Sequence, residues 1–328
     1  MDDGYILITG AAGMIGSGIV RYLQDQARLL LVDDLVKPEQ WKNLLDKRFH
    51  RLLGIRELFP FLEKQPQEVR AILHLGACSD TLETRGDYLM ENNYTYSIRL
   101  AEYALKHHMR FIYASSAATY GDGRLGFSDA LDLLPRLKPL NLYGFSKHLF
   151  DLWVVEQGVQ EHVVGLKYFN IFGPNESHKE HMASMVYKMF PHVRDEGVLD
   201  LFASTDPSQF GDGEQKRDFL YVKDAVRLTC EFLHHEQGGI YNIGQGKATS
   251  WNVLAKAVFS ALDKEPKIRY IPMPEHLAKQ YQNYTCAEMD KLIACRTKAG
   301  LLGNHYTFSV EDAVKEYVQQ YLMQGARW

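Results

Sequence analysis

The stretch that most constrains this chain lies near its start. Residues 5–9, Tyr-Ile-Leu-Ile-Thr, form a short apolar run that leads into Gly10-Ala11-Ala12-Gly13-Met14-Ile15-Gly16. Beyond the glycines, Ile19, Val20 and Leu23 recur at helical spacing. Strand, glycine turn and helix in that order are the context a dinucleotide-binding turn requires. Glycines let the backbone turn tightly and approach a pyrophosphate, and a helix N-terminus offers it free N–H groups and a dipole. The spacing is G-x-x-G-x-x-G rather than G-x-G-x-x-G, so a plain glycine turn competes with this reading and the rest of the chain must decide.

A second apolar strand, 29–32, ends at Asp33-Asp34, with Asp33 17 residues beyond Gly16. An acid near that distance accepts hydrogen bonds from an adenosine ribose. Two adjacent acids repel a 2′-phosphate and favour NAD, whereas Lys37, Lys42 and Arg56 nearby soften that repulsion. A third strand, 71–75, leads into Gly76-Ala77-Cys78-Ser79, where small residues let the backbone pass close to a ligand. The pattern then predicts a helix over 88–106 with Asn92 and Asn93 near its start, a strand over 111–113 running into Ser115-Ser116, and a strand over 163–168. Strands alternating with helices imply an α/β fold with a Rossmann-like, doubly wound parallel sheet.

After Pro174 the chain becomes polar and turn-rich, with a helix expected over 182–194 and an insertion-like stretch at 206–215. Residues 218–236 and 240–243 resemble one more sheet unit. The expected organisation is therefore a dinucleotide-binding domain of 1–172 plus about 218–246, and a smaller mixed substrate lobe of 173–217 plus about 247–328.

Composition narrows the function classes. A net charge of −4 and a pI near 6.4 give no electrostatic case for nucleic acid or an anionic membrane. No apolar run approaches the roughly 18 residues of a membrane span, and Met1-Asp2-Asp3 lacks the basic start of a signal peptide. Cys78, Cys230, Cys286 and Cys295 fit no zinc or disulfide spacing. A cytoplasmic protein with reduced thiols and no metal is expected; His178 and His181 read as loop histidines rather than ligands.

The candidate chemistry centres on Leu142-Tyr143-Gly144-Phe145-Ser146-Lys147. Tyr143 and Lys147 fall one turn apart on one helix face. A phenol, ordinarily near pKa 10, is a poor base at neutral pH; an adjacent ammonium lowers that value and makes the pair a proton-transfer unit.

With Gly10 to Gly16, Asp33, Ser116, Tyr143 and Lys147 placed, the chain resembles the extended short-chain dehydrogenase/reductase family along its whole length. That resemblance implies that Tyr143 is the acid/base, that Lys147 tunes it and holds the nicotinamide ribose, and that Ser116 orients the substrate oxygen. It places the cofactor against Gly10, Gly13, Met14, Ile15, Gly16, Asp33, Asp34, Arg56, Leu75, Gly76, Ala77, Ser79, Asn92 and Ile171.

A narrower resemblance, to the ADP-heptose 6-epimerases, rests on Tyr113–Gly121, Gly76–Ser79, Tyr168–Lys179 with Met182–Ser184, and Pro272–Thr285. It implies a cytoplasmic homo-oligomer with bound NADP that inverts C6 of ADP-D-glycero-D-manno-heptose for lipopolysaccharide core synthesis. Inversion through a ketone calls for a second proton-transfer group once the sugar presents its other face, and Lys179 matches that position. Ser116, Asn170, His181, Lys188, Phe202, Ser204, Arg217 and Tyr281 match substrate positions. A guanidinium at Arg217 suits a diphosphate; the competing readings are an ion pair with Asp218 and, for Tyr281, simple packing. The chain departs from the family pattern at Leu75, Asp34 and His181, where the family has Glu, Asn and Ser. A UDP-hexose 4-epimerase using NAD and a non-catalytic nucleotide sensor are the alternatives. A dehydratase is disfavoured because Ala117-Ala118 stand where its acids would follow Ser116.

Overall fold

The computed structural model describes residues 4–64, 68–275, 281–301, 303 and 306–328. Of the stretch matched at 272–285, residues 276–280 lie outside the described residues. Seven strands form one parallel sheet: β1 (Tyr5–Thr9), β2 (Leu29–Val32), β3 (Arg51–Leu53), β4 (Val69–His74), β5 (Arg110–Ser116), β6 (Val163–Tyr168) and β10 (Gly239–Ile243). Their order across the sheet is β3-β2-β1-β4-β5-β6-β10. The central strands are apolar on both sides. On β1, Ile6 and Ile8 enter one hydrophobic layer while Tyr5 and Leu7 enter the other; on β2, Leu29 and Leu31 oppose Leu30 and Val32 in the same way. A strand that must bury both faces needs helices above and below it, which produces the doubly wound arrangement.

Because β1 pairs with both β2 and β4, the strand order reverses beside β1. The loops at the C-terminal ends of β1 and β4 therefore diverge and leave a crevice. Two small sheets flank this core. β7 (Asn170–Phe172), β9 (Lys216–Tyr221) and β11 (Ala248–Ser250) form one, and β8 (Leu199–Phe202) pairs with β12 (Ile268–Ile271) in the other.

The expected strands at 5–9, 29–32 and 163–168 have the observed bounds. The strand expected over 111–113 extends through Ser116, because Ser115 and Ser116 pair with Lys167 and Tyr168 of β6. The helix expected over 88–106 is broken by a π-helical turn at Met90–Thr95 before the α-helix Tyr96–Lys106. The helix expected over 182–194 divides into a 3₁₀ segment Ser177–Met182, an α-helix Met185–Pro191 capped by Ser184, and a π turn His192–Glu196. No helix among the described residues is long and apolar enough to cross a membrane.

Candidate active site

The glycine turn packs because three side chains are missing. A Cβ on Gly10, which has φ +65, would lie 2.7 Å from Gly76, and one on Gly16 would lie 2.1 Å from the Gly10 carbonyl oxygen. Gly13 precedes the helix Met14–Leu23, and neither a capping side chain nor a first-turn acid covers that end. Backbone donors thus open toward the crevice, which is the cradle a pyrophosphate needs. Met14 is buried and Ile15 half-buried.

Asp33 is half-exposed at the end of β2. Its carboxylate accepts from Ala12 N and Leu35 N, each at 3.0 Å, and from Gln40 Nε2 at 3.0 Å. Burial pushes its carboxyl up, and the backbone hydrogen bonds oppose that shift. Asp34 accepts from Ile55 N at 2.7 Å, and Arg56 is exposed on the same turn. Across the crevice Leu75, Gly76, Ala77 and Ser79 follow β4, none of them buried.

Asn92 is half-buried, and its amide donates to the Tyr88 carbonyl at 2.9 Å. Asn93 is fully buried. It accepts from Cys78 N at 2.8 Å and donates to Cys78 O and Ser146 Oγ at 2.9 and 3.0 Å, tying the loop after β4 to the Tyr143 helix. The hydrogen-bonded series continues through His74. Ser97 Oγ donates to Asn93 O, so it accepts from His74 Nε2, and His74 Nδ1 accepts from Thr9 Oγ1. That pattern assigns the neutral Nε2–H tautomer. Burial depresses His74 to about 3.

The helix Leu142–Glu156 carries Tyr143 and Lys147. Asn141 starts it by accepting from Gly144 N at 2.8 Å, and Gly158 at φ +68 follows its end. Gly144 lets the helix press on the 3₁₀ turn that follows β5, since a Cβ there would lie 2.8 Å from the Ala118 carbonyl. Tyr143 is thereby brought to Ser116, whose side-chain hydrogen bond lowers the phenol's pKa; burial raises it more, and the net direction is up. This corrects the expectation that the lysine sets the shift. The Lys147 ammonium is 5% exposed and donates to Ala114 O at 2.9 Å. Burial depresses it to about 8, opposed by Asp151.

Asp151, one turn beyond Lys147, is a residue the sequence reading missed. It is fully buried and accepts from Tyr113 Oη, Ser115 Oγ and Lys167 Nζ at 2.9, 2.7 and 2.6 Å. Lys167, also fully buried, donates to Thr119 Oγ1 at 2.7 Å, and that hydroxyl donates to the Ser116 carbonyl at 2.8 Å. The recurrence of Tyr143, Lys147 and Asp151 at four-residue spacing was the available signal.

Lys179 lies on the other side of the crevice, its Nζ 4.0 Å from Met14 Sδ in the glycine turn. Its segment is anchored by Glu176, 1% exposed, which accepts from Ser184 N and Ser184 Oγ at 2.6 Å each. His178 is buried against Asn43, and burial depresses it to about 4. His181 pairs with Asp80 at 3.1 Å, and Lys188 donates to the His181 carbonyl at 2.6 Å.

Arg217 lies within β9 rather than before it and is 7% exposed. The ion pair with Asp218 does not form: Asp218 accepts from Gln245 N, Gly246 N and Ala287 N, and burial holds it at about 6. The Arg217 guanidinium stands 4.9 Å from the Tyr281 ring and 5.8 Å from the Trp251 ring, and Trp251 Nε1 donates to Tyr281 Oη at 2.7 Å. Among the described residues no carboxylate pairs with Arg217. Asn170 is exposed and Ile171 half-buried on β7, where Asn170 registers with Phe219 of β9. Phe202 ends β8, and Ser204 N donates to Asp212 Oδ1 at 2.8 Å.

Comparison with known proteins agrees with this geometry. The NAD dependent epimerase/dehydratase family matches residues 6–244. An ADP-L-glycero-D-manno-heptose-6-epimerase of Nitratidesulfovibrio vulgaris (strain DP4) is 46% identical over 324 residues, covering 96% of this chain and 97% of its own. One from Fusobacterium nucleatum is 40% identical over 331 residues, covering 97% and 98%. The crystal structure of the Helicobacter pylori ADP-L-glycero-D-manno-heptose-6-epimerase superposes with a TM-score of 0.78 at 26% identity, covering 97% of this chain and 96% of that one. A UDP-N-acetylglucosamine 4-epimerase from Methanobrevibacter ruminantium shares the fold, with a TM-score of 0.81 at 22% identity and coverage of 99% and 100%. The chain belongs to the NAD dependent epimerase/dehydratase family and, within it, to the ADP-L-glycero-D-manno-heptose-6-epimerases.

Proposed function

We propose that this chain inverts C6 of ADP-D-glycero-D-manno-heptose to the L-glycero epimer, for lipopolysaccharide core synthesis. The observation that carries this reading is the placement of two proton-transfer groups on opposite sides of one crevice. Tyr143 stands with Ser116 at the end of β5, and Lys179 reaches Met14 at the start of the helix that follows the glycine turn.

A bound nicotinamide dinucleotide supplies the redox chemistry at the carbon. The open donors at Met14, Ile15 and Gly16 fit its pyrophosphate, and Lys147 fits its nicotinamide ribose. Tyr143, held by Ser116, exchanges the proton of the substrate oxygen in one orientation, and Lys179 exchanges it in the other. Arg217, aromatic-flanked and without a carboxylate partner, binds the diphosphate. Asn170, His181, Lys188, Phe202, Ser204 and Tyr281 complete the substrate side. Residues 173–217 and about 247–328 form the substrate lobe, the enzyme works in the cytoplasm, and it assembles as a homo-oligomer. The resemblance implies NADP, while the two acids after β2 favour NAD.

Incubation with ADP-D-glycero-D-manno-heptose and UDP-galactose side by side, with NMR of the products, tests the proposal. Inversion of the heptose alone is expected; inversion of galactose alone would establish the 4-epimerase reading instead.

A further inference from the structure

We infer that the ribose corner of this crevice selects NAD(H) over NADP(H), and that Asp34 is the excluding residue. The inference rests on the dinucleotide reading above and adds to it the identity of the group at the ribose 2′ position.

The corner lies where β2 ends, beside the glycine turn, because Asp33 Oδ2 accepts from Ala12 N. A carboxylate accepts hydrogen bonds and donates none. Asp33 can therefore receive a ribose hydroxyl through its remaining lone pairs, but it offers a phosphate nothing. A 2′-phosphate carries further negative charge and needs donors or cations. Each lysine that sequence proximity brings near the corner already meets another carboxylate at the surface. Lys37 Nζ meets Glu180 Oε2 at 3.3 Å, and Lys42 Nζ meets Glu39 Oε2 at 2.5 Å.

The slot between them is filled by a neutral side chain. Gln40 is 8% exposed; its amide nitrogen donates to Asp33, and its amide oxygen accepts from Lys37 N at 3.1 Å. Asp34 meets no cation among the described residues and directs its carboxylate at the backbone of the Ile55 turn. Two carboxylates with no committed counter-charge therefore stand side by side at the end of β2, Asp33 toward the glycine turn and Asp34 toward the Ile55 turn. Arg56, exposed on the Ile55 turn, would have to answer a phosphate beside Asp34.

Like charges brought together repel, so a preference for NADH over NADPH of at least about tenfold is expected. Protein purified from cells that hold both cofactors is denatured, and the released nucleotide is identified by mass spectrometry. NAD(H) in excess supports the inference, and NADP(H) in excess overturns it while leaving the dinucleotide reading intact. Release of neither nucleotide, together with no binding of either, overturns both. The second measurement is fluorescence titration of Asp34→Asn with NADH and NADPH, since Asn keeps an oxygen for Ile55 N. The NADPH-to-NADH affinity ratio should rise by about tenfold; an unchanged ratio would overturn the role given to Asp34.

Discussion

Tyr143 and Lys179 face one crevice from different foundations. Tyr143 rides on a helix of 15 residues whose same face, two turns on, rests on a sealed polar cluster, with Asp151 and Lys167 both fully buried. Lys179 rides on a 3₁₀ segment of six residues that contains Glu180 at φ 50 and ψ −122. Its outer links, Lys37–Glu180 and His181–Asp80, are solvent-exposed ion pairs. The difference teaches where each group's position comes from. A buried ion pair with further hydrogen bonds on both partners favours one geometry, because displacement strands a charge away from water. Exposed pairs contribute between nothing and about 1 kcal/mol and let a segment shift. The helix turn that bears Tyr143 is thus braced by buried charge, whereas the end of the segment that bears Lys179 meets its neighbours through exposed pairs.

The sharpest way to break this contrast is Lys167→Met. It leaves Asp151 as an uncompensated buried charge, and a loss of about 3–5 kcal/mol in urea denaturation is expected. A loss below about 1 kcal/mol would show that the cluster is no foundation. Next in size, Lys179→Ala should lower kcat by about a hundredfold or more with unaltered unfolding, because it removes a proton-transfer group but no packing. Near-normal turnover would return Lys179 to an ordinary loop lysine.

His178 provides a third test. Its pKa is depressed to about 4 by burial, against about 6.5 unfolded. The unfolded chain therefore binds more protons between those values, so the stabilisation is full above about 6.5 and is lost as pH falls toward 4. The stability gap between the parent and His178→Asn should narrow by about 2 kcal/mol from pH 7.5 to pH 5; a constant gap would place His178 in contact with solvent. Smallest of all, His181→Ala should cost no more than about 1 kcal/mol, and less still in high salt. A larger loss would mean that the exposed link carries the segment.

The parts legible in the sequence are those governed by one strong pattern. Strands β1, β2 and β6 are short runs buried on both sides, and their bounds follow from apolar continuity. The glycine turn is legible because no other residue tolerates the approach of Gly16 to the Gly10 carbonyl. The short strands β3, β7, β8, β11 and β12 are not, since three or four residues carry too little periodicity. Asn93 was obscured for a specific reason. The π turn at Met90–Thr95 adds a residue to the helical repeat and rotates the later turns, so no single 3.6-residue period assigns which asparagine faces inward. Lys167 was hidden in an otherwise apolar strand; its partner sits on a helix 16 positions earlier. The direction of the Tyr143 shift was misread because spacing reveals the nearby ammonium but not the burial that outweighs it.

The most direct test of two proton-transfer groups serving two orientations uses Tyr143→Phe and Lys179→Ala, each mixed with either heptose epimer. Absorbance of the reduced nicotinamide reports the first half of the reaction, and NMR reports the configuration at C6. The account predicts that each variant still reduces its cofactor with one epimer and not the other, the two variants choosing opposite epimers, and that neither inverts C6 at the parental rate. Inversion by Lys179→Ala at the parental rate, or the same epimer preference in both variants, would contradict it.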